Sequence, residues 1–376
     1  MTLDMQVRKI ILFSIAALLL ATGCGADPNA ADFAAPKLGT LQIEAEAFQV
    51  RFSCPVSGNL SGVSGYGIRF GTGSMKEIPA RLEAGILKAE AKALHAETDY
   101  CVEAFLTNGA ETISTGVTSF RTEQGPPTVD IPDAVFQRYI LAHFDDNGDG
   151  VLTEPEAMRI KEITVCTDSI YSLQGIEKMG NLLSLEARGS DGYKGQLSTI
   201  DLSCNTALYY LNLNDNQIRN IDLSALLNLR TFQFASNYVS RLDFSNNRQI
   251  NELYLNNLPL EELPDMSFLP LTSLHIDHSA RLIPKDYMRN FPMLTGLNMG
   301  LYEGRTIDLS ENTQLDALWA YECPYLEELD LTATSRLVIL YIGECPRLRR
   351  VYVRAGTTFE QLEKDDQTEI VYVEQD

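Results

Sequence analysis

The sequence predicts a multidomain protein: a small β-sandwich, then a helix–loop–helix segment, then a solenoid whose strands form a parallel β-sheet horseshoe. Three observations predict it. Apolar and polar residues alternate in short runs between about residue 48 and residue 120. An acidic, glycine-containing loop follows one short helical pattern. From about residue 160 to residue 355, a leucine-rich phrase recurs every 21 to 23 residues.

The recurring phrase is leucine, two residues, leucine, one residue, leucine, two residues, and then asparagine or a substitute. This spacing is that of a leucine-rich repeat, in which each unit supplies one short strand and a return segment. We expect about nine units, and a solenoid of this kind is first of all a binding surface. The first leucine positions of the clearest units are Leu208, Leu229, Ile250, Leu271, Leu294, Leu315 and Leu337.

The start of the chain has the pattern of an export signal. Two basic residues precede an apolar run from Ile10 to Ala21, which is shorter than the roughly 20 residues that span a membrane. The small residues that follow, up to Cys24, resemble the lipobox of bacterial lipoproteins, and the resemblance implies lipid attachment to the Cys24 thiol. Since Gly25 stands where an inner-membrane retention signal has aspartate, we expect an outer-membrane lipoprotein, periplasmic or surface-exposed. The alternative is an ordinary signal peptide with an incidental cysteine.

The overall charge limits the partners. A formal net charge of −21 disfavours nucleic acid and direct adsorption to anionic lipid, because both need patches of lysine and arginine. It suits an extracellular protein and leaves carboxylates available for cations. Six cysteines remain besides Cys24, too few for a disulfide scaffold in a chain of this length.

The first module shows the period-2 alternation of a small all-β sandwich. The segment from Leu94 to Ala104 resembles the strand corner of a fibronectin type III domain, in which the hydroxyl of a buried tyrosine, here Tyr100, pins the strand. Such modules usually act as spacers. Alternation directs Cys54 to the core and Cys101 outward, which disfavours a core disulfide between them.

The second module begins with Pro132, expected at the first helical position, and places Phe136, Ile140 and Phe144 on one helix face. The twelve residues after it match the EF-hand calcium loop, because oxygen donors alternate, a glycine allows the sharp turn and an acid closes the loop. A single loop beside a solenoid favours one structural calcium ion at a cap over a paired sensor. The alternative is an acidic turn that only resembles the loop. The predicted ligands are Asp145, Asn147, Asp149, the carbonyl of Val151, and Glu156.

In each repeat the leucines point into the core, and the residues between them face the concave sheet. We expect Trp319, Tyr321 and Tyr341 to be neighbours on adjacent strands about 4.8 Å apart, with Tyr210, Tyr254 and His275 extending the line. Exposed aromatic rings beside amides and small residues suit a sugar ring or a peptide segment. The alternative is that these rings are simply good strand formers.

Cysteine and histidine chemistry points away from catalysis and from zinc. Cys323 and Cys345 occupy the asparagine position of their repeats, where buried structural thiols are expected. His275 and His278 lack partners at zinc-ligand spacing. No serine elbow, phosphate loop or zinc-protease motif occurs, and a solenoid offers no closed pocket for a pair of glycosidase carboxylates. We therefore predict a binding protein and not an enzyme.

Taken together, the lipobox, sandwich, calcium loop and repeats resemble the leucine-rich-repeat lipoproteins of Bacteroidetes-type bacteria. The resemblance implies an exported, lipid-anchored adhesin or recognition protein, monomeric, for an extracellular protein or glycan. The alternatives are a structural or assembly partner of another envelope protein and, third, an accessory polysaccharide-degrading enzyme. The predicted segments are a signal peptide (1–23), tether (24–36), sandwich (37–123), linker (124–131), calcium loop and cap (132–159), repeats (160–358) and C-terminal cap (359–376). Within the C-terminal cap we expect a short helix at residues 359–362 and a final strand at residues 370–373, which together cover the last open edge of the solenoid.

Overall fold

The computed structural model describes residues 35–190 and 193–374. The predicted signal peptide, most of the tether and the lipidation site at Cys24 lie outside the described residues. The chain divides into two compact units. The first contains the residues up to Gly125 together with Asn147–Val151, and the second contains Pro126–Asp146 and the residues from Leu152 onward.

The first unit contains two antiparallel five-stranded sheets. One has the order β1-β3-β7-β6 with β2 on β3, and the other has the order β10-β8-β4-β5 with β9 on β8. The strands are β1 (Lys37–Leu38), β2 (Gln42–Ala45), β3 (Val50–Ser57), β4 (Gly65–Gly71), β5 (Lys76–Ile78), β6 (Ala80–Glu83), β7 (Ile86–Ala91), β8 (Asp99–Thr107), β9 (Thr112–Ser114) and β10 (Thr118–Arg121).

Strict alternation builds the core of this unit. Along β3 the inward residues, from Val50 to Val56, are buried at every second position. Tyr100 on β8 is buried, stacks on Phe70 with ring centroids 4.9 Å apart, and its hydroxyl accepts a hydrogen bond from the His95 N–H at 3.0 Å. Cys54 is buried and Cys101 is half-buried, and both are free thiols.

The second unit begins with helix α1 (Ala134–Phe144), whose inward residues Phe136 and Ile140 are fully buried in the core of the solenoid. The N-cap is Asp133, so the expectation that Pro132 takes the first helical position is wrong. Asp133 is the N-cap because its side chain accepts hydrogen bonds from the backbone N–H groups of Val135 and Phe136 in the first turn. No helix in residues 35–190 and 193–374 is long and apolar enough to cross a membrane.

A second, one-turn helix, α2 (Glu154–Ala157), follows the acidic loop. Thr153 is its N-cap, and the Glu156 carboxylate accepts a hydrogen bond from the Thr153 N–H, which completes a capping box. The polypeptide then enters the repeats directly. Three short 3₁₀ helices lie between later strands, at Ile176–Lys178, Asp277–Leu282 and Tyr287–Asn290.

The repeats form a β-solenoid consistent with a leucine-rich-repeat architecture. One strand per unit pairs in parallel with its successor, in a ten-stranded sheet of order β11 to β18, β20 and β22. A shorter sheet of order β19-β21-β23 runs beside the last units. The strands are β11 (Glu162–Cys166), β12 (Ser184–Arg188), β13 (Tyr210–Asn212), β14 (Thr231–Gln233), β15 (Glu252–Tyr254), β16 (Ser273–His275), β17 (Gly296–Asn298), β18 (Ala317–Trp319), β19 (Glu328–Leu331), β20 (Ile339–Ile342), β21 (Arg350–Arg354), β22 (Gln361–Lys364) and β23 (Glu369–Val373).

Buried polar side chains join successive units where the strands end. The Asn216 amide donates to the carbonyls of Ala187 at 2.8 Å and Leu213 at 3.0 Å, which crosses from one unit to the next. Cys345 holds the equivalent position, and its thiol donates to the carbonyl of Ala320 at 3.1 Å. Both ladder cysteines, Cys345 and Cys323, are buried free thiols, as their position in the repeat predicts.

A second row of asparagines, not anticipated from the sequence, lies in the return segments. Asn205, Asn247 and Asn312 are buried, and each donates from its amide to two carbonyls of the preceding unit. The recurring Asp-Leu-Ser or Asp-Phe-Ser phrase two positions before each one could have revealed the row.

The C-terminal segment differs from the sequence expectation. Residues 359–362 were expected to form a short helix that covers the last open edge, but Gln361–Lys364 is a strand. It pairs in parallel with β20, Tyr341 opposite Glu363, and so continues the sheet by a tenth strand. The expected last strand does form, as β23 beside β21.

Candidate ligand-binding site

The third residues of successive strands form one straight row across the concave sheet, because every strand pairs with its successor without a slip in register. In this row Tyr254 lies opposite His275, His275 opposite Asn298, and Trp319 opposite Tyr341. We call the side chains Tyr254, His275, Trp319 and Tyr341 the aromatic row. All four side chains are half-buried, so part of each ring is open to solvent.

The rings of the aromatic row touch one another. The centroids of Tyr254 and His275 are 4.5 Å apart with the ring planes 19° from parallel. The His275 ring also reaches Trp319, at 5.7 Å, across the intervening strand that carries Asn298. Trp319 and Tyr341 follow at 6.4 Å and 17°. The four side chains therefore form one continuous aromatic surface over five adjacent strands.

The rings of Tyr254 and His275, at the start of the aromatic row, stack face to face. Near-parallel rings whose centroids are as close as those of Tyr254 and His275 can only lie face to face, since rings lying side by side in one plane would be farther apart. One face of each ring is consequently covered. At the other end of the row, the Tyr341 hydroxyl donates to the Gln361 side chain at 2.8 Å, which fixes that ring.

Tyr321 was expected in this line and has a different position. Its ring lies over Gly300, where an added Cβ would come within 2.7 Å of the phenol ring. Its hydroxyl donates to the Asp277 carboxylate at 2.9 Å. Tyr321 therefore connects the ends of strands β16 and β18 beside the aromatic row. We call Tyr321, Gly300 and Asp277 the brace.

The Asp277 carboxylate is the acceptor for most of the polar contacts in the brace. Asp277 is 7% exposed, and its carboxylate accepts hydrogen bonds from the Asn257 N–H (2.9 Å), the Asn256 amide (3.1 Å) and Tyr321. Its Oδ1 also lies 3.1 Å from Nδ1 of His278. Burial by itself raises the pKa of Asp277, but these hydrogen bonds outweigh it, and the net pKa shift is downward. No sequence pattern indicates this arrangement around Asp277, because its partners are up to 44 positions away in the chain.

The pKa values of two neighbours of Asp277, Tyr321 and His275, are also shifted. Burial, together with the hydrogen bond to the charged Asp277, raises the pKa of Tyr321 to about 12. Burial lowers the pKa of His275, against a smaller opposing effect from Asp277. His275 is therefore neutral at physiological pH, and the aromatic row carries no positive charge of its own.

The expectation that Tyr210 extends this line is wrong. Tyr210 pairs with Ser184 and Thr231, so it belongs to the row of strand-entry positions, two residues before the row of third residues. The repeat spacing already contains this difference, because Tyr210 directly precedes Leu211 whereas Tyr254 directly follows Leu253.

A trough of small side chains runs beside the aromatic row. Ser273, Gly296 and Ala317 lie opposite one another on three neighbouring strands, two residues before His275, Asn298 and Trp319. A Cβ at Gly296 would meet only the Ser273 hydroxyl, at 3.6 Å, so the space above Gly296 is open. The trough begins at Glu252, which is opposite Ser273. The sequence contained these residues at repeat spacing, but their role was not recognised.

The predicted calcium loop shows hydrogen bonds typical of a tight turn. The Asn147 Oδ1 accepts from the Asp149 N–H at 2.8 Å, and the Asp149 Oδ1 accepts from the Val151 N–H at 2.9 Å. The buried Glu156 carboxylate accepts from the N–H and the hydroxyl of Thr153 at 2.9 and 2.8 Å. Among the residues that the structure describes, no three His, Cys, Asp or Glu side chains are grouped to hold a metal.

The fold and the site define a leucine-rich-repeat-type β-solenoid with an aromatic row on its concave sheet. No protein-family model matches the chain, and no curated protein matches its sequence. Solved structures with similar repeats include three proteins of Listeria monocytogenes. The functional domain of InlJ, which includes a cysteine ladder, is 19% identical, with a TM-score of 0.40 over 66% of this chain and 72% of that chain.

The internalin inlF is 16% identical with a TM-score of 0.42, over 66% of this chain and 97% of that one. The internalin C2 is 14% identical with a TM-score of 0.39, over 67% and 98%. Likenesses at these identities and TM-scores are too distant to assign a function.

Proposed function

We propose that this chain is an exported, lipid-anchored, non-catalytic binding protein that recognises an extracellular protein or glycan through the concave face of its solenoid. One observation carries the proposal. Four half-buried rings, from Tyr254 to Tyr341, are in contact across five strands of that face. Sheet stability alone does not require one continuous line of large aromatic side chains, whereas binding surfaces are rich in tyrosine and tryptophan.

The brace beside the row supports a preformed site. Tyr321, Gly300 and Asp277 fix the ends of the strands that carry His275 and Trp319. A surface that is already ordered loses little conformational entropy when a ligand binds. Asp277 is buried and already accepts several hydrogen bonds, which disfavours a role as general acid or base.

The anchor and the spacer are parts of the same proposal. Cys24 would carry the lipid, and the sandwich would act as a fibronectin type III-like spacer, for which the Tyr100 hydroxyl bond is the supporting observation. The whole arrangement agrees with an outer-membrane lipoprotein of Bacteroidetes type that works as a monomer. Incorporation of a labelled fatty acid into the full chain, lost in Cys24→Ala, tests the anchor.

A structural calcium ion completes the proposal. The alternating oxygen donors of Asp145, Asn147, Asp149, Val151 and Glu156 suit a hard cation. Calcium would draw the Glu156 carboxylate from its bonds with Thr153 and so would tie the acidic loop to the helix that follows. An EF-hand-like loop of this kind would stabilise the N-terminal edge of the solenoid.

The experiment for the main proposal is an array of extracellular-matrix proteins and glycans probed with the full chain. Binding to an array member that is lost in Trp319→Ala is the expected result. Tyr171→Ala is the matched control, because Tyr171 is 66% exposed and is not part of the aromatic row. A blank array together with capture of an envelope protein would instead favour the second candidate, a structural or assembly role.

A further inference from the structure

We propose that the ligand of the aromatic row is a basic segment of a protein, of which one lysine or arginine lies in the trough beside the rings and reaches Glu252. The inference rests on the proposed function and deepens it. It commits the concave site to one class of partner, a protein segment with positive charge. The alternatives for the same site are neutral and acidic glycans.

The trough has the shape that a long aliphatic stem needs. Ser273, Gly296 and Ala317 form its floor on three neighbouring strands, and the space above Gly296 is open, since an added Cβ would meet only the Ser273 hydroxyl at 3.6 Å. His275 and Trp319 border it on one side, because they follow two residues later on the same strands. The methylene groups of lysine and arginine pack well on apolar surface while the charged end stays polar.

The charged end of that side chain would meet Glu252. This residue is half-buried and stands at the start of the trough, opposite Ser273. The Thr231 hydroxyl donates to its Oε2 at 3.2 Å, which holds the carboxylate in place and leaves further acceptor capacity on both oxygens. A fixed, half-buried carboxylate interacts more strongly with a cation than a mobile exposed one does.

The charges around the row agree with a basic partner. Concave positions carry Glu186, Glu252, Asp277 and Glu363, whereas the arginine of the face, Arg188, is paired with Glu186 at 3.0 Å. The whole chain has a net charge of −21. This field attracts positively charged segments and repels sulfated or sialylated glycans.

The ring geometry disfavours a neutral sugar. A sugar stacks on the face of an aromatic ring, but Tyr254 and His275 cover one face of each other. The Tyr321 ring lies over Gly300 and is engaged with Asp277. The Tyr254 hydroxyl and the Trp319 indole N–H can hydrogen-bond to the main chain of a peptide, whose apolar stems can pack beside the rings.

The test measures binding of the full chain to two sets of probes. One set is an array of 12-residue peptides from extracellular-matrix proteins, in which each basic peptide has a partner with its lysines acetylated and its arginines replaced by citrulline. The other set contains neutral, sialylated and sulfated glycans. We expect basic peptides to bind, their neutralised partners to bind at least tenfold more weakly, and added salt to weaken the binding.

Three variants locate the contact. Trp319→Ala and Glu252→Gln should each weaken peptide binding about tenfold. Gly296→Val should do the same by filling the trough, with an unchanged circular dichroism spectrum and melting temperature. Glu303→Gln, which removes an exposed carboxylate outside the sheet, should leave the affinity unchanged.

The outcomes separate the two proposals. Trp319-dependent binding of a glycan, or of neutralised peptides equally with basic ones, would overturn the basic-segment inference and leave the concave binding site standing. Peptide binding that is insensitive to Glu252→Gln and Gly296→Val would also overturn it. If no peptide or glycan binds, the inference and the proposed recognition function both fail.

Discussion

The Tyr321 hydroxyl donates a hydrogen bond of 2.9 Å to Asp277, two units earlier in the solenoid and 44 residues earlier in the chain. The bond spans the intervening unit because that unit has only a glycine, Gly300, beneath the ring. The bond skips one repeat, as the ring contact between His275 and Trp319 also does, whereas most contacts in a solenoid join immediate neighbours. It therefore stiffens the part of the sheet that carries the aromatic row.

Removal of the Tyr321 hydroxyl should lower the stability of the folded protein. Tyr321→Phe keeps the ring over Gly300 but deprives the buried Asp277 carboxylate of one donor. We expect a loss of about 1 to 3 kcal/mol in the free energy of unfolding, measured by urea denaturation. An unchanged midpoint and slope would show that Asp277 replaces the lost donor at no cost.

Two glycines of one strand segment should respond differently to alanine. Gly300→Ala places a Cβ within 2.7 Å of the Tyr321 ring, whereas Gly296→Ala meets only a hydroxyl at 3.6 Å. We expect Gly300→Ala to destabilise the protein by about 1 to 3 kcal/mol through this overlap. Gly296→Ala should be neutral or slightly stabilising, because it limits the freedom of the unfolded chain. Equal melting temperatures of the two variants would contradict the assigned ring position.

Asp133 joins the first helix to the first repeat. One carboxylate oxygen accepts from the N–H groups of Val135 and Phe136, and the other accepts from the N–H groups of Tyr171 and Ser172. Burial raises the pKa of Asp133, but these four bonds outweigh it, so the net shift is below the ordinary value of 3.8.

A group whose pKa is lower in the folded state stabilises the fold above its unfolded pKa, and the contribution disappears as the pH falls through the folded pKa. Asp133→Asn should therefore cost about 1 to 2 kcal/mol at pH 7, since an amide can accept on one side only. The difference from the unmodified protein should shrink below pH 4, which unfolding curves between pH 7 and pH 3 would measure. A constant difference over that range would argue against the ionised carboxylate as the cause.

Calcium should raise the melting temperature through the acidic loop. We expect chelation to lower the melting temperature, because a ligand that binds only the folded state stabilises it by mass action. Asp145→Ala should abolish the response to calcium, since it removes the first predicted oxygen donor. Asp168→Ala is a suitable control, as Asp168 lies outside the loop and accepts from Ser190. Identical melting curves with calcium and with chelator would reject the site.

The repeat period predicted the solenoid well because it is a local property of the sequence. Every first leucine position from Leu208 to Leu337 is buried, and each is followed by a strand. The tail was harder to predict, because Gln361–Lys364 becomes a strand only through pairing with β20. Its residues Gln361, Glu363 and Lys364 have no strong preference for strands on their own.

The site was predictable in outline but not in detail. The repeat pattern placed Trp319 opposite Tyr341, as the structure has them. It could not place Tyr321, whose position depends on a partner two units away. The pattern of one repeat identifies a face of the sheet, whereas the contacts among several repeats decide which side chains on that face meet.

The chain contains one tryptophan, Trp319. The centroid of its ring lies 5.7 Å from the centroid of the His275 ring, which is neutral at physiological pH. The ultraviolet emission of Trp319 is consequently a built-in probe of the concave face alone, free of background from other indoles. Protonation of His275 in acid should quench that emission, and a bound partner that displaces water from the indole should shift it to shorter wavelength. Occupancy of the aromatic row can thus be followed in the unlabelled protein.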